Sequence, residues 1–217
     1  MSICQQLIQN AKPHWQAYTE HDFVLQLASG KLDKACFQHY LKQDYLYLFQ
    51  YNRSLALSLF KADNFAQMEG AHHAIGTLLK EIQLHIAFCQ QREIEEQELF
   101  QTPESPACVA YTRYVLDCGI NGSLADLYAA IAPCAIGYAE IARNIVQQQL
   151  SPADNPYQDW INAYAAEDFQ TAVAQMGDML DSLCRDLTAK QLAKVQHIFT
   201  TATRMEVAFW QMGLDRS

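Results

Sequence analysis

Residues that break secondary structure are scarce in this chain. Eight glycines and six prolines in 217 residues are about half the usual share of these two types. Sandwiches and barrels need a turn former roughly every ten residues, so this scarcity excludes a strand-rich fold and favours long helices. Paired cysteine motifs are missing too. The seven cysteines, at 4, 36, 89, 108, 118, 134 and 184, are odd in number and form no Cys-x-x-Cys. They read as reduced thiols rather than a disulfide framework. No run of basic residues occurs, and 15 Lys and Arg stand against 24 Asp and Glu, a net charge of −9. That balance excludes broad contact with nucleic-acid phosphates or an anionic membrane. No stretch approaches the ~20 apolar residues that a bilayer requires. The start, Met1-Ser2-Ile3-Cys4-Gln5-Gln6, lacks the basic and apolar regions of a signal peptide, so a soluble, cytoplasmic protein is expected. Repeats, low-complexity tracts and long linkers are also lacking, and residues 1–217 read as one domain.

What is present is hydrophobic and rich in tyrosine. Half of the residues are hydrophobic, and 11 tyrosines outnumber 10 phenylalanines. A buried phenol needs a partner for its hydroxyl, so the positions of these tyrosines matter. Apolar periodicity predicts helices at 3–28, 34–61, 65–90, 107–117, 124–150, 157–164, 167–185 and 189–213. Asp33 is placed to cap the second, and Ser123 with Asp126 and Thr188 with Gln191 resemble capping boxes. Gly119–Gly122 and Ser151–Pro156 read as turns. The expected fold is a single-domain, all-α bundle of seven to nine helices.

Three polar groups stand where this periodicity calls for core. On the helix at 34–61, Phe37, Tyr40, Leu41, Asp44, Tyr47, Leu48, Tyr51 and Leu55 share one face. An unpaired carboxylate there is costly, so Asp44 needs a hydrogen-bond network or a ligand, whereas Tyr40 and Tyr51 read as wall residues. In the helix at 124–150, Pro133 is interior and predicts a kink. Cys134 follows it, with Tyr138 one turn on. Six of the cysteines read as inert hydrophobes, while Cys134 is the candidate nucleophile and needs a site that activates it. In the last helix, Glu206 shares a stripe with Val195, Phe199, Ala202, Phe209 and Gly213. A raised pKa would suit it to general acid work, and the alternative is a buried pair with Lys or Arg. Three such groups on converging faces point to one lined cavity.

Several local sequences then carry a resemblance. Gln43-Asp44-Tyr45-Leu46-Tyr47-Leu48, Ala110-Tyr111-Thr112-Arg113-Tyr114 and Pro133-Cys134-Ala135-Ile136-Gly137-Tyr138 resemble, in order and spacing, the TenA/thiaminase II family. So do Tyr157 to Tyr164 and Glu206-Val207-Ala208-Phe209-Trp210, and the likeness spans about residues 3–213. Asp22 and Ser29 depart from it, where Pro and Asp are common. The resemblance implies a heme-oxygenase-like helical fold, usually homotetrameric, with no metal or other cofactor. It implies hydrolysis of 4-amino-5-aminomethyl-2-methylpyrimidine to the hydroxymethylpyrimidine and ammonia, and cleavage of thiamin at the same methylene. By matching positions, Cys134 is the nucleophile, Glu206 the proton donor and Tyr47 a hydrogen-bond partner of the thiol. Asp44 and Tyr138 bind the aminopyrimidine, and Tyr111 and Tyr164 line the pocket.

Two other readings stay open. Glu81 and His85, four residues apart, with His72 and His73 nearby, could suggest a metal-dependent oxidase of the same fold class. A di-iron bundle needs more carboxylates and Glu-x-x-His pairs, so Glu81 and His85 are expected to form a structural pair instead. The same pocket could also serve a non-catalytic carrier of thiamin or a pyrimidine.

Overall fold

The computed structural model describes residues 1–217 and contains eleven helices and no strand. They are α1 (Ile3–Asn10), α2 (Lys12–Thr19), α3 (Asp22–Ala28), α4 (Lys34–Phe60), α5 (Phe65–Gln91) and α6 (Glu96–Gln101). The second half holds α7 (Pro106–Asn121), α8 (Leu124–Gln147), α9 (Gln158–Ala165), α10 (Glu167–Cys184) and α11 (Ala189–Asp215).

Side-chain caps set most of these starts. Asp33 accepts from the Ala35 amide and Asn64 from that of Gln67. Both expected capping boxes form, at Ser123–Asp126 and Thr188–Gln191. The expected count of seven to nine helices was low because the segment 3–28 divides into three. Pro13 sits in the first turn of α2, where its missing amide costs nothing, and His21 caps α3 by accepting from the Phe23 amide. One further short helix, α6, forms within and beyond the acidic stretch at 93–98. Gly119 lies inside α7 rather than in a turn, and only Gly122 stands outside the helix as its C-cap.

Pro133 does not end α8, which continues from Leu124 to Gln147. Two buried phenols approach carbonyls beside it: Tyr51 donates to Ile131 O and Tyr18 to Cys134 O, each at 3.5 Å. Alanines at 125, 129, 130, 132, 139 and 142 keep this helix narrow, and it packs against α2, α4, α7, α9, α10 and α11. By length and composition α8 could cross a membrane, yet 78% of its most apolar stretch is buried within the bundle. Its hydrophobicity serves the core. The buried residues form one continuous core of 51, consistent with a single folding unit.

Around that core, α5 lies along α4 and also touches α10. The space enclosed by α4, α5, α8, α9 and α10 is where the polar exceptions meet.

Candidate active site

Helical register explains why the exceptions converge. Tyr40, Asp44, Leu48 and Tyr51 step along one face of α4, while Cys134 and Tyr138 are one turn apart on α8. From α5 come Leu78, Glu81 and His85. Asp44, Glu81, Cys134, Tyr138 and Tyr164 line a small inner chamber of about 30 Å³, room for a water or two. It adjoins a larger chamber of about 460 Å³, and Tyr51, Leu78, Glu81, Ala135 and Phe169 line both. The larger one reaches solvent beside the exposed Glu69 and His73. An aminopyrimidine ring enters the inner chamber only if walls such as the partly exposed Phe169 move aside.

Asp44 is buried in a network. Its Oδ2 accepts from Tyr40 Oη at 3.2 Å and lies 3.4 Å from His85 Nδ1. Across the ring, His85 Nε2 is 2.7 Å from the Leu41 carbonyl, to which it donates. Burial lowers His85 to about 4 and lifts Asp44 well above the carboxylate range. Both shifts favour the uncharged forms of this pair, and Oδ1 has no protein partner. Tyr40 is more than a wall residue, because its hydroxyl also meets Tyr138 Oη at 3.3 Å and accepts from Trp160 Nε1 at 3.2 Å.

Cys134 is half-buried, and its open surface faces the chamber rather than bulk water. Desolvation, and then the neighbouring Glu206, push its thiol well above the usual range, so the resting group is a thiol. Glu206 lies on the far side of that thiol and lines neither chamber. It accepts from Tyr111 Oη at 2.6 Å, and burial raises it to about 8 against the stabilising effect of Tyr111, Tyr18 and the thiol. No lysine or arginine pairs with it, so the expected alternative of a buried ion pair is replaced by phenols. Tyr47 is buried near the thiol and Tyr111, and its hydroxyl makes no hydrogen bond of good geometry. Tyr111 holds Glu206 and packs at a tilt against Tyr47 without lining the chamber, whereas Tyr164 lines it directly.

Across the chamber, Glu81 Oε1 accepts from Tyr164 Oη at 3.1 Å, and burial lifts this carboxyl to about 7. Glu81 and His85 are thus not the structural pair that their spacing suggested, since each is held by a different helix. No cluster of three His, Cys, Asp or Glu side chains is arranged to hold a metal ion, and His72 and His73 are exposed. Asp44 and Glu206, which are buried, and the partly buried Glu81 have no lysine or arginine partner. Such a site favours a ligand rich in N–H donors or carrying positive charge.

Residues 8–216 match the TENA/THI-4/PQQC family. The chain belongs to this family. An uncharacterized protein of Haemophilus influenzae is 61% identical over 213 residues, covering 98% of this chain and 99% of that protein. An aminopyrimidine aminohydrolase of Halalkalibacterium halodurans is 36% identical, covering 99% of this chain and 96% of its own. Among solved structures, a TenA family transcription regulator of Silicibacter sp. TM1040 superposes with a TM-score of 0.92. The two are 39% identical, over 98% of this chain and 96% of that one. A Shewanella denitrificans domain with a heme oxygenase-like fold aligns at a TM-score of 0.75 with 14% identity, covering 98% and 92%, which supports the fold alone.

Within this member of the TENA/THI-4/PQQC family, periodicity found Asp44, Cys134 and Glu206 but missed His85, Tyr40 and Tyr18 as parts of the site. Tyr18 had one available signal. Gly137 stands opposite it, where a Cβ would lie 2.0 Å from Tyr18 Cε1. A glycine inside a helix otherwise costs stability, so it marks a close approach.

Proposed function

We propose that the protein hydrolyses aminopyrimidines derived from thiamin. It would convert 4-amino-5-aminomethyl-2-methylpyrimidine to the hydroxymethylpyrimidine and ammonia, and cleave thiamin at the same methylene. One observation carries this reading: the Cys134 thiol opens into a buried chamber that it shares with the Asp44 carboxyl, with Glu206 directly behind it. The free Oδ1 of Asp44 and the Tyr138 hydroxyl supply polar groups for the amino edge of the ring, and the surrounding aromatic walls its faces.

The chemistry follows from the protonation states. As the sulfur adds to a ring carbon, its proton passes to Glu206, while the proton already on Glu206 moves past the sulfur to the ring nitrogen next to the new C–S bond, the side of the ring away from the 5-methylene. No net charge is buried, and a carboxyl at about 8 can perform both transfers near neutrality. The Tyr47 hydroxyl can donate to the sulfur as negative charge develops there. With aromaticity lost, the ring electrons expel the group on the 5-methylene. Water adds to the exocyclic carbon, the C–S bond breaks and the ring regains aromaticity.

The test is ammonia release from the aminomethylpyrimidine and thiazole release from thiamin, with Cys134→Ser as the comparison. The variant is expected to lose at least ~100-fold in kcat/KM on both substrates. Full ammonia release by Cys134→Ser would remove the thiol from the mechanism. Binding without turnover by the unaltered protein would make it a carrier.

A further inference from the structure

The two cleavages attributed to this site differ in what must leave. Thiamin's thiazolium nitrogen departs as a neutral ring, taking the bonding electron pair, and needs no proton. An aminomethyl nitrogen departs as ammonia only if it is already an ammonium, because an amide anion is too poor a leaving group. Amine substrates therefore place a demand on the site that thiamin does not, and Glu206 is badly placed to meet it. It sits behind the thiol and lines neither chamber.

Glu81 is placed where that demand arises. It projects from α5 at the boundary of the two chambers, lining both, with the Cys134 thiol and Asp44 on the inner chamber's wall. Its single hydrogen bond comes from Tyr164 to Oε1, leaving Oε2 without a protein partner. No lysine or arginine lines either chamber to neutralise it. For a pyrimidine ring bonded to the thiol and held by Asp44, the open space for a 5-substituent is the larger chamber, whose boundary Glu81 lines. The carboxyl is desolvated and titrates at about 7, so an arriving ammonium finds it ionised or readily ionised.

We propose that Glu81 is the leaving-amine residue: it pairs with the substrate's ammonium and keeps the nitrogen protonated until the C–N bond breaks. This inference rests on the aminopyrimidine hydrolase reading. In the step itself, ring electrons form the exocyclic double bond and the C–N pair leaves with nitrogen, releasing neutral ammonia. The proton surrendered by the incoming water passes to that ammonia, or in thiamin cleavage to solvent through the larger chamber. Tyr164 positions Glu81 through its hydroxyl, so the pair forms an amine subsite distinct in task from the ring-binding Asp44 and Tyr138.

The experiment compares Glu81→Gln with the unaltered protein on both substrates. Gln preserves the size of the side chain and can still accept from Tyr164, but it cannot pair with an ammonium. Ammonia release from the aminomethylpyrimidine should fall at least ~100-fold in kcat/KM, while thiazole release from thiamin slows less than ~10-fold. Tyr164→Phe, which frees Glu81 to move, should shift the ratio of the two activities in the same direction by a smaller factor. Equal losses on both substrates, or none on the amine, would overturn the role of Glu81. Failure of the unaltered protein to act on either substrate would instead overturn the hydrolase reading, so the two failures are distinguishable.

Discussion

Tyr47 shows how little a single residue reveals until its neighbours are placed. Its hydroxyl is buried without a hydrogen bond, a condition that costs about 1–3 kcal/mol when left uncompensated. Removing that hydroxyl should therefore leave stability unchanged or raise it. If the hydroxyl instead serves the thiol as the sulfur acquires charge, Tyr47→Phe should also lower kcat about tenfold. Denaturant unfolding and steady-state kinetics on one preparation test both halves, and a variant that loses stability while keeping its rate would contradict the assignment. From the sequence, Tyr47 was one of several phenols on an apolar face. Asp44 was legible because a carboxyl on that face demands partners, but of its two, Tyr40 lies one turn back on the same helix and His85 Nδ1, at 3.4 Å, belongs to another. Residue type exposes the need; only the fold supplies the answer.

At the scale of the element, α8 was legible in outline but not in its close contacts. Its capping box and apolar run were plain in the sequence, and Pro133 stands inside a helix that runs on from Leu124 to Gln147. The more telling position is Gly137, which lets the Tyr18 ring lie directly against the helix. Gly137→Ala gains helix propensity but forces that ring away, and overpacking of this kind costs about 1–3 kcal/mol. Urea unfolding should show the loss, and kcat should fall with it because Tyr18 lies beside Glu206. A stabilised variant would mean that the ring relocates freely. The split of 3–28 into three short helices was less legible, since apolar periodicity runs across its joints, although Pro13 and His21 mark them in hindsight.

For the whole molecule, the decisive property is that the buried Asp44 and Glu206 and the partly buried Glu81 share one body without a lysine or arginine partner. Glu206 keeps its proton to about 8 when folded, against about 4.5 when free. Between those values unfolding releases a proton, so stability is full below about 4.5 and declines as pH rises through about 8. Glu81, raised to about 7, acts in the same sense, while His85, lowered to about 4, opposes it below about 6.5. Glu206→Gln should consequently gain on the unaltered protein as pH moves from 5 to 9, by chemical denaturation at each pH. A constant difference would show that Glu206 is ionised in the folded state. The net charge of −9 disclosed none of this, because it counts acidic residues without saying which are denied water. Sequence patterning identified the all-α class and three of the groups that meet at the site. It could not show which helices face one another, and so left Glu81 and His85 as neighbours in sequence rather than members of two separate contacts.

Two adjoining chambers of unequal size also impose an order of events. On the proposed reading the ring sits beside the thiol once the walls of the smaller chamber part, while the larger reaches solvent beside Glu69 and His73. The fragment cut from the methylene would then stand nearer that opening and depart first, and the pyrimidine alcohol last. In product-inhibition kinetics the alcohol should therefore compete directly with fresh substrate for the unoccupied enzyme, whereas ammonia should not.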